Sequence, residues 1–185
     1  MITWEDINHV LSGLIAKAET NKNIDYYKNR KSNFKSDLKI LIEMGGIISG
    51  GGALGMLYGI KIKDIDIYFN DKKTFEEAYL LGLAQPRIDP CFYIEKPYEL
   101  HDLTATMLTM NGNGKFEISN EAQNTYDTNI CHINKHNLIN HKKTAERILK
   151  YNKKYGFKFK LEEIIPIFAL SNVKFDKNII LHHDQ

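Results

Sequence analysis

The sequence predicts an α+β fold, a small mixed sheet flanked by helices. Three observations lead there. Apolar residues recur at spacings of three and four toward both ends of the chain, the period of a helix with one buried face. Between them stand short runs of β-branched and aromatic residues alternating with polar ones, as half-buried strands require. Glycine clusters punctuate the middle of the chain, where tight turns join short elements.

Thr3 stands as an N-cap before Trp4, Ile7, Val10, Leu11, Leu14, Ile15 and Ala18, which predicts an opening amphipathic helix. Polar residues dominate from Glu19 to Asp37, a loop or a short solvated helix, and a second helix ends near Met44 at Gly45-Gly46. Ile47-Ile48-Ser49 leads into Gly50-Gly51-Gly52 and a short segment from Ala53 to Tyr58. Ile65 to Phe69 alternates as a strand does. Asn70 or Asp71 caps a helix carrying Phe75, Ala78, Tyr79 and Leu81, closed by Gly82. Cys91 to Glu95 and Leu100 to Met110 predict strands, and Asn111-Gly112-Asn113-Gly114 a hairpin turn before Lys115 to Ile118. Lys142 to Tyr155 is helical and stops at Gly156; Pro166 interrupts the apolar run Ile164 to Leu170, leaving a short helical element and a loose tail.

The chain has 185 residues, 25 Lys plus Arg against 23 Asp plus Glu, and 43% hydrophobic residues. That composition excludes disorder and suits a single domain over 1–185, with a core at 45–120 and a basic helical segment at 135–185. A domain of this size buries roughly 70% of its unfolded surface, enough for a core without staples. Charged residues interrupt every apolar run well short of the roughly twenty residues that a membrane span needs. No basic, then apolar, leader opens the chain. A cytoplasmic protein with no membrane partner is expected. Cys91 and Cys131 have no paired spacing, which suits a reducing compartment. The net charge of +2 assigns no partner.

The informative stretch runs from Ile48 to Tyr68. Gly50, Gly52 and Gly55 satisfy a dinucleotide fingerprint, with Asp71 where its ribose-binding acid belongs. The connection defeats that reading: nine residues separate Gly55 from Ile65, too few for a parallel crossover of roughly ten to twelve including its helix. A phosphate-binding P-loop fails because no Gly-Lys-Ser/Thr follows. Asp64 and Asp66 supply a better account. Two apart on a strand, they emerge on one face while Ile65 and Ile67 point to the core. Carboxylates held that close repel unless a cation lies between them, and hard oxygen ligands suit Mg²⁺. The glycines upstream let a phosphate approach backbone N–H groups at a helix start. An isolated D-x-D is usually a solvated edge; glycines at this offset change the reading.

Gly-Gly, a short helix, then Asp-x-Asp on a strand resembles the signature of the nucleotidyltransferase superfamily, which includes polymerase beta, poly(A) polymerases and CCA-adding enzymes. Gly51-Gly52-Ala53-Leu54 through Gly59, with Lys63-Asp64-Ile65-Asp66-Ile67, is most similar to the CCA-adding branch and its head domain. Where that branch continues Arg-Asp, this chain has Gly55-Met56. The resemblance implies a third acid on a neighbouring strand. His101-Asp102-Leu103-Thr104-Ala105-Thr106 resembles an Arg-Asp-Phe-Thr-x-Asn stretch of that family, with Asp102, Thr104 and Thr106 on one face by alternation.

From Lys135 to Lys160 there are eight Lys and one Arg against a single acid, Glu146. Arg147, Lys150 and Lys154 share a helical face. Arg147-Ile148-Leu149-Lys150-Tyr151 through Gly156-Phe157 is similar to the Arg-rich helix that follows the family's catalytic domain, and by that likeness Arg147 and Lys150 face the nucleotide or a polynucleotide acceptor. Cys131, His132, His136 and His141 match no ordinary zinc spacing.

The resemblance implies a small stand-alone enzyme of bacterial or phage type that moves an NMP from an NTP to an acceptor hydroxyl and releases pyrophosphate. The acceptor is a small molecule, a protein or an RNA end. Asp64, Asp66 and Asp102 are the expected catalytic and metal residues, with Mg²⁺ or Mn²⁺. Gly51 and Gly52, and less directly Ser49, are expected to hold the phosphates. The alternative is a catalytically inactive binding module, an antitoxin or RNA-binding partner that uses the basic helix.

Overall fold

The computed structural model describes residues 33–80, 87–93, 96–138 and 140–180; the predicted helix from Trp4 to Ala18 lies outside them. Two compact units form, one from 1–98 with 108–117, the other from 99–107 with 118–185.

The first unit is built on a mixed sheet ordered β3-β2-β1-β4-β5, and the α+β expectation holds. Helix α1 (Phe34–Glu43) starts where the Asn33 side chain accepts from the Lys35 and Ser36 amides, and it buries Leu38, Ile40, Leu41 and Ile42. Strand β1 (Ile47–Ser49) runs into α2 (Gly50–Leu57) with no loop between them. The helix therefore starts inside the glycine cluster, not after it at Ala53. Gly50 has φ +66°, a left-handed conformation that costs glycine nothing and other residues roughly 1–2 kcal/mol. A Cβ on Gly52 would meet Ile48 Cγ2 at 3.3 Å and Ile65 Cα at 3.6 Å. The missing side chain lets α2 lie close on the sheet.

Strand β2 (Ile65–Phe69) is antiparallel to β1 and parallel to β3 (Ile88–Phe92). Between them, α3 (Lys72–Leu80) is capped by Asp71, whose carboxylate accepts from the Thr74 amide at 2.6 Å and from its hydroxyl. Asp71 is thus a cap, which agrees with rejecting the ribose-acid reading. Strand β3 begins at Ile88, earlier than the predicted Cys91, and contains Pro90. Proline cannot donate to a ladder, but β3 stands at the sheet edge, where one side of the strand needs no donor.

The predicted strand from Leu100 to Met110 is mostly not one. Single turns of 3₁₀ helix occupy Pro97–Leu100 and Thr104–Thr106, Leu103 makes an isolated bridge with Ile133, and only β4 (Leu108–Met110) is a strand. The hairpin turn is present: the Gly114 amide donates to Asn111 O at 2.9 Å and Gly114 has φ +74°, leading into β5 (Phe116–Ile118).

In the second unit, Ser119 caps α4 (Asn120–Thr128) by accepting from the Ala122 amide at 3.1 Å. Its polar sequence carries almost no apolar period, so periodicity did not reveal this helix. Asn140 caps α5 (His141–Tyr155), which ends at Gly156 with φ +80° and buries Thr144, Ala145, Ile148 and Tyr151. Helix α6 (Leu161–Ser171) packs on α5 and passes through Pro166. Pro166 is exposed, so the hydrogen bond that it removes lies toward solvent. Ile164, Ile167 and Phe168 are buried on the other side of the helix and hold it together.

Candidate active site

Asp66 is flanked on both sides in the sheet. Its cross-strand partner on β1 is Ser49, and its register partner on β3 is Asp89. Ile65 and Ile67 are completely buried while Asp66 is half-buried, so alternation orients this strand as the sequence predicts. Two pairs along, Tyr68 partners Cys91. Parallel pairing aligns side chains of one face in rows, and it brings a carboxylate oxygen of Asp66, one of Asp89 and Cys91 Sγ within 4.8 Å of one another.

Two of those three residues escape a sequence reading. Asp89 sits before a proline, and Cys91 looks like an ordinary strand residue. The available signal was the alternation of Asp89 and Cys91 about Pro90, visible once Pro90 is accepted into an edge strand. Burial first, then the negative charges of Asp89 and Asp66, push the Cys91 thiol up to about 12, against a hydrogen bond with Tyr68 that lowers it. Asp64 is exposed, one residue before β2, and is outside this set of three.

The glycine helix starts beside the acids. Because α2 begins at Gly50, its first turn follows directly on the residue paired with Asp66. The first amides of a helix lack intrahelical acceptors and carry its positive dipole end. Gly51 is half-buried, whereas Gly52 is buried against Ile48 and Ile65. Ser49 is fully buried, and its hydroxyl donates to Leu108 O at 2.9 Å; it ties β1 to β4.

In the second unit, Asp102 is buried and receives two donors from α5. Arg147 Nη1 lies 2.9 Å from Oδ1, and the Thr144 hydroxyl donates to Oδ2 at 2.5 Å. Asp102 stands in a bend, not on a strand. Burial holds the neighbouring His101 down to about 4; Asp102 opposes that shift and Arg147 adds to it. Lys150 is exposed, its ammonium 5.6 Å from the Tyr151 ring centroid.

Solved structures share the fold. A CCA-adding enzyme in its apo form aligns over 86% of this chain and 45% of its own at 15% identity, with a TM-score of 0.50. A tRNA-processing enzyme, also apo, aligns over 78% of this chain and 49% of its own at 13% identity, with a TM-score of 0.51. The chain has the nucleotidyltransferase fold. It spans less than half the length of either of those proteins. No protein-family model matches the sequence, and no curated protein does.

Asp66 lies on β2, with Asp64 one residue before that strand, and Gly50 to Gly52 open α2 directly after β1. The donor set beside them suits a divalent cation: carboxylate oxygens are hard ligands, and a thiolate sulfur adds a soft one.

Proposed function

We propose that this chain transfers a nucleoside monophosphate from an NTP to an acceptor hydroxyl and releases pyrophosphate. The observation that carries this reading is the side-by-side placement of Asp66 and Asp89 on β2 and β3, with Asp66 paired to Ser49, the residue before the glycine helix. The two carboxylates, with exposed Asp64 nearby in sequence, would hold Mg²⁺ or Mn²⁺, which when bound would neutralise triphosphate charge and lower the pKa of the acceptor hydroxyl. Amides of the first turn of α2, Gly51 foremost, bind phosphate oxygens. The acceptor oxygen bonds the α-phosphorus as the α–β bridging bond breaks. The hydroxyl proton passes to a carboxylate of the site, and pyrophosphate leaves.

Asp102 takes a different part here from that of a metal ligand. With donors from Thr144 and Arg147 on its two oxygens, it fixes the direction of Arg147, which with Lys150 offers cationic groups to phosphates of an acceptor. No described helix is long and apolar enough to cross a membrane, and the acceptor is a hydroxyl on RNA, protein or a small molecule.

The test is label transfer from α-labelled NTP, read in host lysate so that the acceptor identifies itself. Asp66→Asn should lower transfer by at least about a hundredfold, the equivalent of about 2.7 kcal/mol of charge stabilisation, with an unchanged circular dichroism spectrum. Undiminished transfer overturns the assignment. A second reading, a binding module without catalysis, is favoured by the exposed Lys142, Lys143, Lys150 and Lys153 along α5. Tight RNA binding by wild type with no transfer from any of the NTPs would select it.

A further inference from the structure

We infer that Cys91 is a ligand of the same metal site, and that the site therefore takes thiophilic divalent cations such as Cd²⁺, Co²⁺ or Zn²⁺ more tightly than Mg²⁺. The inference rests on the functional reading for Asp66 and Asp89 and adds a third donor of different chemistry.

The geometry comes from the sheet. Asp89 and Cys91 are two apart on β3 and share a face, and Asp66 stands in register with Asp89 on the adjacent strand. Donor atoms from the three residues all lie within 4.8 Å of one another. Two strands of a paired ladder supply them, so the backbone positions are set before any ion arrives. Asp66 is half-buried, as is Cys91, while Asp89 is exposed, which leaves a cation one open side for water or a phosphate oxygen. Cys91 Sγ lies 3.5 Å from the Asp89 carbonyl oxygen, on the strand that carries its partner acid.

A site made only of carboxylates selects Mg²⁺ or Mn²⁺, whereas a sulfur ligand shifts preference toward softer ions. Binding replaces the thiol proton: the S–H bond breaks, a sulfur–metal bond forms, and one proton passes to the buffer. No oxidation is involved. Cys131 is the internal control, a second thiol that is completely buried in the other unit beside Thr104.

The experiment titrates the full chain with Co²⁺ and with Cd²⁺, reading the ultraviolet thiolate-to-metal charge-transfer band. Mg²⁺-dependent NTP binding is measured by calorimetry on the same samples. Wild type, Cys91→Ser, Cys131→Ser and Asp89→Asn are compared. The expected result is a band in wild type and in Cys131→Ser, its absence in Cys91→Ser, and Cd²⁺ affinity reduced about tenfold or more by Cys91→Ser. Mg²⁺-dependent NTP binding should change less than about twofold in Cys131→Ser, whose thiol lies outside the three-donor set. A band that persists in Cys91→Ser, or disappears in Cys131→Ser alone, overturns the inference. Absence of any band in wild type that still binds NTP with Mg²⁺ also overturns it and leaves the functional reading standing. A Cys91 band in a protein whose NTP binding ignores Mg²⁺ supports the ligand assignment and counts against the functional reading. Asp89→Asn should weaken both the band and the Mg²⁺ dependence; a full-strength band in that variant would remove Asp89 from the set and overturn the three-donor site.

Discussion

Ser49 and Asp66 face each other across β1 and β2. The pairing matters because Ser49 is the last residue before α2 and Asp66 belongs to the acidic cluster. One ladder rung thus joins the two halves of the site, the helix start for an anion and the carboxylates for a cation.

Gly50 is the hinge of that junction. Gly50→Ala must place a Cβ on a residue with φ +66°, and we expect a loss of about 1–2 kcal/mol in urea denaturation. Gly51→Ala, where no such φ is required, should cost less stability. An unchanged midpoint for Gly50→Ala would show that the helix start relaxes to another conformation.

Asp102 separates support from metal binding. Asp102→Ala removes the acceptor for a buried threonine hydroxyl and a half-exposed guanidinium, and should cost about 2 kcal/mol, since the arginine retains access to water. The concentration of Mg²⁺ needed for half-maximal NTP binding should be unchanged at temperatures where the variant is folded. A shift of about tenfold in that requirement would return Asp102 to the metal ligands expected from the family resemblance.

His101 contributes an acid limb to stability. Its folded pKa, about 4, lies below the ordinary 6.5. The neutral ring is therefore the form that folding favours, the stabilisation is present above 6.5, and it is lost as pH falls toward 4. His101→Gln should flatten the fall in melting temperature between pH 6.5 and 4. A fall of the same steepness in the variant would assign the acid limb to other groups.

Both thiols should be slow toward disulfide reagents in the native state. Cys91 and Cys131 are each pushed to about 12, chiefly by burial, so at pH 8 roughly one molecule in ten thousand carries either thiolate. Native reactivity should keep rising about tenfold per pH unit above pH 9, where an ordinary thiol levels off. Folding favours the protonated thiols, so their contribution is complete below about pH 9 and is lost toward pH 12. Fast reaction of either cysteine at pH 8 in folded protein would contradict the burial that sets these values.

The site was legible where chemistry lies close together in the chain. Gly50 to Gly52 and Asp64 to Asp66 are local patterns, and strand alternation alone predicts which way Asp66 points. The end of α5 was legible too, because Gly156 closes it with a left-handed turn. Asp89 was not legible. Its strand contains a proline, and only the position of that strand at the sheet edge makes the proline acceptable. Pro166 misled for a related reason: burial of Ile164, Ile167 and Phe168 against α5 outweighs the single hydrogen bond that it removes. Helix α4 left no period to find, since its polar sequence starts from the Ser119 cap and buries little.

What the sequence determined by itself is the strand that carries Asp66, the glycine turn before it and the stop of α5 at Gly156, because alternation, capping and turn chemistry act over a few residues. Tertiary structure decided which residues stand beside that strand. The pairing of β2 with β3 joins Asp66 to residues more than twenty positions away, Asp89 and Cys91, and packing of α5 assigns Asp102 to Thr144 and Arg147. Pairing register and helix docking are settled by burial of whole faces, a quantity spread over the chain and carried by no single motif.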